Sequence, residues 1–96
     1  MAFQLPGSAL VVLRSLAKSG PMSPKEITNT TKLPSRTVSS AIKRLSRLRL
    51  LRRVPDLQDM RKCLYGPNLE VAMEMVRTHG PDSMVAVQLS LILALR

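Results

Sequence analysis

Arg36, Ser40, Lys43 and Arg47 are spaced i, i+4, i+7 and i+11, so a helix through this stretch sets them in one line. Arg44 lies beside that line, and Ser35, Thr37 and Ser39 fill the first turns. No acidic residue interrupts the run from Lys32 to Pro55. Guanidinium and ammonium groups with hydroxyls between them suit a polyanion: arginine donates two parallel hydrogen bonds to guanine, and serine and threonine reach bases or phosphates. A further arginine, Arg53, and two more cations, Arg61 and Lys62, follow within a stretch that reads as a hairpin.

Other reactive residue types form no chemical set. His79 stands alone, as does Cys63, so neither a zinc site nor an internal disulfide is expected. Cys63 falls on a predicted strand and reads as a small buried hydrophobe. Asp56 and Asp59 are close, but turn chemistry accounts for both. The six methionines fill gaps between apolar residues. No phosphate loop and no nucleophile–base pair is visible, so neither a cofactor nor an enzymatic activity is expected.

The elements that position these residues follow from capping and periodicity. Pro6 and Gly7 precede a helix over about 9–19, with Ser8 as its predicted cap and Leu10, Leu13, Leu16 and Ala17 as its stripe. Gly20-Pro21 ends it. Ser23-Pro24-Lys25-Glu26 is a capping box opening a short second helix with Ile27 as its core residue; Leu33-Pro34 breaks it. Ser35 is then the predicted cap of a third helix over 36–49, with Val38, Ala41, Ile42, Leu45 and Leu48 turned inward. Strands are predicted over 50–54 and 62–65, joined by turn residues and closed by Gly66-Pro67. Asn68 caps a fourth helix to about Thr78 with Leu69, Ala72, Met73 and Val76 inward. Beyond Gly80-Pro81, with Asp82 or Ser83 as cap, MVAVQLSLILAL is apolar nearly all round, which requires burial. Helix–helix–helix–hairpin–helix is the order of a winged helix-turn-helix. The expected fold is mainly α with a small β-hairpin: a winged unit over 1–80 and an apolar C-terminal helix over 81–96 serving as a dimer interface.

Charge follows the same map. The chain of 96 residues carries 15 Lys and Arg against six acids, a net +9. Ten of those cations lie between Lys32 and Lys62, opposed only by Asp56 and Asp59, so a local excess of eight sits on this unit. Merely solubilising charge has no reason to cluster there, and a polyanionic partner is expected. Aromatic residues are nearly absent, so aliphatic side chains must build the core.

The stretch SPKEITNTTKLPSRTVSSAIKRLSRLRLLRRVPDLQDMRKCLYGPN resembles the winged helix of MarR-type transcriptional regulators, including short archaeal members. The matching pieces run from Ile27 through Leu33, Thr37-Val38, Ile42 and Leu45, then Leu51-Arg52-Arg53 and the wing signature Asp59-Met60-Arg61. The resemblance covers about half the chain. It implies that the third helix enters the major groove of double-stranded DNA, with Ser35, Arg36, Thr37, Ser39, Ser40 and Lys43 toward the bases and Arg44, Arg47 and Arg53 toward phosphates. Asp59 would position the wing, Arg61 would reach the minor groove, and Lys62 would hold the flank. The family usually has glycine between recognition helix and first strand; here Arg49 occupies that region. The chain is also shorter than a typical member, leaving little room for an effector pocket, so plain DNA binding is expected over effector response.

Val85, Val87, Leu89, Leu91, Ile92, Leu93 and Leu95 exceed what a monomer of this size is expected to cover, and terminal helices pair in the resembled family. A homodimer offering two recognition helices to adjacent half-sites is the expected assembly. The start, MAFQLPGSALVVL, lacks a charged leader segment, and the apolar tail is too short to span a bilayer, so a cytoplasmic, nucleoid-associated protein with no membrane partner is expected. The competing reading is a protein-interaction winged helix within a larger assembly; it gives no reason for Arg36, Lys43 and Arg47 to share one exposed stripe.

Overall fold

A computed structural model describes residues 5–80 and 82–94. Its elements are α1 (Gly7–Ser19), α2 (Pro24–Thr31), α3 (Ser35–Arg47), β1 (Leu51–Pro55), β2 (Cys63–Pro67), α4 (Leu69–His79) and α5 (Met84–Leu93). This is the expected helix–helix–helix–hairpin–helix order followed by the expected C-terminal helix.

Helix α1 starts earlier than predicted. Pro6 takes the N-cap position with extended backbone and no side-chain bond, so Ser8 lies inside the helix and does not cap it. The buried stripe is Ala9, Val12, Leu13 and Leu16, while Leu10 and Ala17 are only partly covered. Gly20 ends the helix at φ 89°, donating its N–H to Leu16 O at 2.8 Å; a left-handed residue of this kind favours glycine.

The capping box of α2 is formed as predicted. Glu26 N donates to Ser23 Oγ and Ser23 N donates to Glu26 Oε1, both at 3.2 Å. Ile27 is fully buried. Lys32 turns left-handed at φ 62°, and Thr31 Oγ1 then accepts from Leu33 N at 3.3 Å, which closes the tight turn into α3.

Helix α3 packs on α1 and α2 through Val38, Ala41, Ile42 and Leu45. Pro34 holds the N-cap at φ −59°, ψ 147°, so the predicted cap Ser35 is the first helical residue and makes no capping bond. The helix ends at Arg47, two residues short of the prediction. Leu50 N donates to Leu45 O and Arg49 N to Ser46 O, each at 3.0 Å. That pair of bonds is a Schellman motif with Arg49 as its left-handed residue, at φ 63°. Leu45 and Leu50, which hold the positions of the motif's accompanying apolar pair, are both fully buried in the core.

The hairpin is antiparallel, with Leu51 opposite Pro67, Arg53 opposite Tyr65 and Pro55 opposite Cys63. β2 continues through Gly66-Pro67, where the sequence suggested its end. Gly66 is there because its neighbour is close: an added Cβ would lie 3.3 Å from Pro21 Cγ. Beside it, Met22 and Tyr65 exchange both backbone hydrogen bonds, at 3.0 and 2.8 Å, so the α1–α2 connection pairs with the free edge of β2.

Asn68 caps α4 by accepting from Val71 N. Ala72 is buried, but Met73 is 49% exposed rather than inward. Ser83, not Asp82, caps α5. α5 packs on α4 and α1, burying Val85, Ala86, Leu89 and Ile92 while Met84, Val87 and Leu91 remain exposed. The predicted roles of Pro81 and Leu95 fall outside the described residues. Gln88 of α5 grips the start of the described chain: Leu5 N donates to Gln88 Oε1 at 2.9 Å and Gln88 Nε2 donates to Leu5 O at 3.2 Å. No helix among the described residues is long and apolar enough to cross a membrane.

Candidate nucleic-acid interface

The outward face of α3 carries a dense array of donors. Burying Val38, Ala41, Ile42 and Leu45 fixes the helix rotation and leaves Arg36, Ser40, Lys43 and Arg47 on the opposite side, all exposed. Ser35, Ser39 and Arg44 are exposed at its margins. Thr37 is half-buried, so its hydroxyl is less available than the others. None of the cations of α3 has a carboxylate within ion-pair distance among the described residues, where the ion pair is instead Asp59–Arg61. The charge of this face is therefore free for an external anion.

Arg53 and Arg52 are neighbours on β1 and so point to opposite faces of the hairpin. Arg52 lines a shallow groove with Glu70 and Met73 of α4. Arg53 crosses the hairpin, its Nη2 donating to Cys63 Sγ at 3.4 Å. Cys63 is exposed, contrary to the expectation of a buried hydrophobe. β2 has no layer covering this face at its tip end, so the residue opposite Pro55 meets solvent.

The wing tip spans residues 56–62. Asp59 Oδ1 accepts from Arg61 N at 3.1 Å and from Arg61 Nε at 3.3 Å. Arg61 nonetheless keeps 92% of its side chain exposed, and Lys62 beside it is exposed as well. The structure thus gathers Ser35, Arg36, Ser39, Ser40, Lys43, Arg44 and Arg47 on α3, and Arg53, Arg61 and Lys62 on the hairpin.

Two cations beside α3, Lys32 and Arg49, lie outside the set of site residues expected from the sequence. They flank α3, Lys32 in the turn that precedes it and Arg49 just past its C-cap, and both are exposed and left-handed. Each stands at the C-terminal end of a helix, Lys32 directly after α2 and Arg49 after the C-cap Leu48 of α3, where a left-handed turn residue is needed.

The sequence model of the MarR family matches residues 3–62. Among curated proteins, none matches the chain. Several solved structures share its fold. A probable transcriptional regulator from Pseudomonas aeruginosa aligns over 94% of this chain and 65% of its own, at 21% identity and a TM-score of 0.67. BpsR from Bordetella bronchiseptica, whose DNA binding is regulated by 6-hydroxynicotinic acid, aligns over 90% and 59%, at 28% identity and 0.67. PcaV, a transcriptional regulator from Streptomyces coelicolor solved with its natural ligand, aligns over 95% and 57%, at 23% identity and 0.66. The chain spans less than two thirds of the length of each of these proteins. With the family's sequence pattern covering residues 3–62 and the winged-helix architecture around it, the chain belongs to the MarR family.

Proposed function

We propose that this chain binds double-stranded DNA as a transcriptional regulator, with α3 in the major groove and the hairpin wing on the flank. The observation that carries the reading is the exposed line Arg36–Ser40–Lys43–Arg47, whose cations have no carboxylate partner among the described residues. A helix of this size fits the major groove, and residues of its first turns meet base edges. Arg36 is the base-reading donor, supported by Ser35, Thr37, Ser39, Ser40 and Lys43. Arg44, Arg47 and Arg53 bind phosphates and release counterions, which makes affinity fall with salt. Asp59 holds Arg61 in place for the minor groove, with Lys62 beside it.

The active form is a homodimer. Met84, Val87 and Leu91 of α5 and Val11 of α1 are large apolar side chains left exposed on neighbouring helices, which supports a second copy there. Two-fold pairing sets two recognition helices about one helical turn of DNA apart. The protein acts by binding rather than catalysis, in the cytoplasm on the nucleoid.

Titration against a labelled random-sequence duplex at several salt concentrations tests the reading. A log–log slope of several units establishes phosphate contact. No binding at low salt rejects it and favours the protein-interaction alternative.

A further inference from the structure

The wing tip carries two side chains that neither the fold nor the cationic interface uses. Leu57 is 86% exposed and Met60 is 71% exposed. Isolated exposed apolar residues are ordinary, but turn corners usually take polar or conformationally special residues. Here both corners of one tip are apolar.

The backbone holds them there by repeating one unit. Asp59 N donates to Asp56 O at 3.2 Å, and Lys62 N donates to Asp59 O at 2.9 Å, giving two consecutive turns that share Asp59. Asp56 N donates to Lys62 O at 3.3 Å and closes the loop. In the first turn Asp56 Oδ1 accepts from Gln58 N at 3.0 Å; in the second Asp59 Oδ1 accepts from Arg61 N at 3.1 Å. Asp-Leu-Gln and Asp-Met-Arg are thus equivalent, and Leu57 and Met60 occupy the same corner of each. The two carboxylates are engaged with tip backbone, while Arg61 and Lys62 next to Met60 are exposed.

We infer that Leu57 and Met60 form an apolar wedge that enters the minor groove and parts a base step, bending the duplex. The inference rests on the DNA-binding reading above. The occupant follows from charge and width. The apolar pair is flanked by Arg61 and Lys62 at the tip and by Arg53 on β1, so the surface approached must be anionic at its rims and apolar within. A minor groove about 6 Å wide has phosphate rims and stacked bases at its floor, and it excludes a helix about 10 Å across while side chains projecting from a turn can enter it. Leucine and methionine are among the side chains that insert between base steps and kink DNA. Because the tip is already fixed by its own hydrogen bonds, insertion orders little additional backbone.

The test compares the wild type with the double variant Leu57→Ser and Met60→Ser, which keeps Asp56, Asp59 and the turns. The probe is a duplex of about 30 base pairs selected by the wild type from a random pool and labelled at both ends for energy transfer, with 2-aminopurine at the flanking steps. The wild type is expected to shorten the end-to-end distance and raise 2-aminopurine fluorescence. The double variant is expected to lose both signals and about tenfold in affinity, with its salt slope unchanged. A wild type that binds with a steep salt slope but leaves the duplex straight and stacked overturns the wedge and leaves DNA binding standing. A double variant that bends DNA equally and binds within about twofold of wild type also overturns it. Failure of the wild type to bind any duplex removes both readings. Loss of binding by the double variant to phosphatidylserine vesicles, with duplex binding and bending intact, assigns the tip to a lipid surface instead.

Discussion

One carboxylate oxygen of Asp59 receives both the backbone N–H and the Nε–H of Arg61, at 3.1 and 3.3 Å. The pair is exposed on the arginine side, so its direct contribution to stability is about 0–1 kcal/mol. Its larger effect is on where Arg61 is held. Asp59→Ala and Arg61→Ala are each expected to weaken duplex binding about three- to tenfold with little change in thermal stability. Their combination is expected to be no worse than Arg61→Ala alone, because the two act as one unit. Losses that simply add in a double-mutant cycle would show that Asp59 does not position Arg61.

On the proposed reading, Arg36 and Arg53 serve two different modes of recognition. Arg36→Ala is expected to cost about 1–3 kcal/mol on a selected site and much less on random duplex, relaxing preference at one base position. Arg53→Ala is expected to weaken both alike and to lower the salt slope by about one unit. Parallel titrations on both duplexes measure this, and equal effects of the two changes would contradict the division.

Arg49 sits at φ 63° in the position that ends α3. A side chain there costs about 1–2 kcal/mol, partly offset in glycine by its greater freedom when unfolded. Arg49→Gly is therefore expected to stabilise the fold by about 0.5–1 kcal/mol, visible as a rise of a few degrees in Tm. An unchanged or lower Tm would show that Arg49 makes a compensating contribution.

Ser23→Ala removes the acceptor of Glu26 N and half of the capping box. The expected cost is about 1 kcal/mol in denaturant unfolding, with an unchanged m-value. Ser8→Ala serves as the control, since Ser8 is not the cap of its helix.

Leu91 is 70% exposed, so Leu91→Glu leaves the monomer's core intact. It is expected to shift sedimentation from dimer to monomer and to reduce affinity for a two-half-site duplex far more than for a single half-site. A wild type that sediments as a monomer at micromolar concentration would remove the dimer proposal.

Much of this architecture was legible from residue types. Ser23 and Glu26 at capping-box spacing, the Val38–Ala41–Ile42–Leu45 stripe and the cation line on its far side all stand where the sequence pattern put them. What escaped has physical causes. Pro34 takes the cap of α3 because its ring fixes φ near −60°, which pushes Ser35 into the first turn. The end of α3 was overrun because its left-handed residue is arginine, a type that carries no stop signal. Met22–Tyr65 is a contact between segments far apart in sequence, and nothing local announces it. Cys63 was placed inside by residue type, yet exposure on a two-stranded hairpin depends on which face other elements cover.

The grip of Gln88 on Leu5 joins positions 83 residues apart through both backbone groups of one residue. The Leu5 amide therefore acts as a built-in gauge: its hydrogen exchanges with solvent when the bond to Gln88 opens. The slowing of that single exchange rate reads the free energy that holds Leu5 against Gln88, and a change in it on raising protein concentration reads how far self-association tightens that contact.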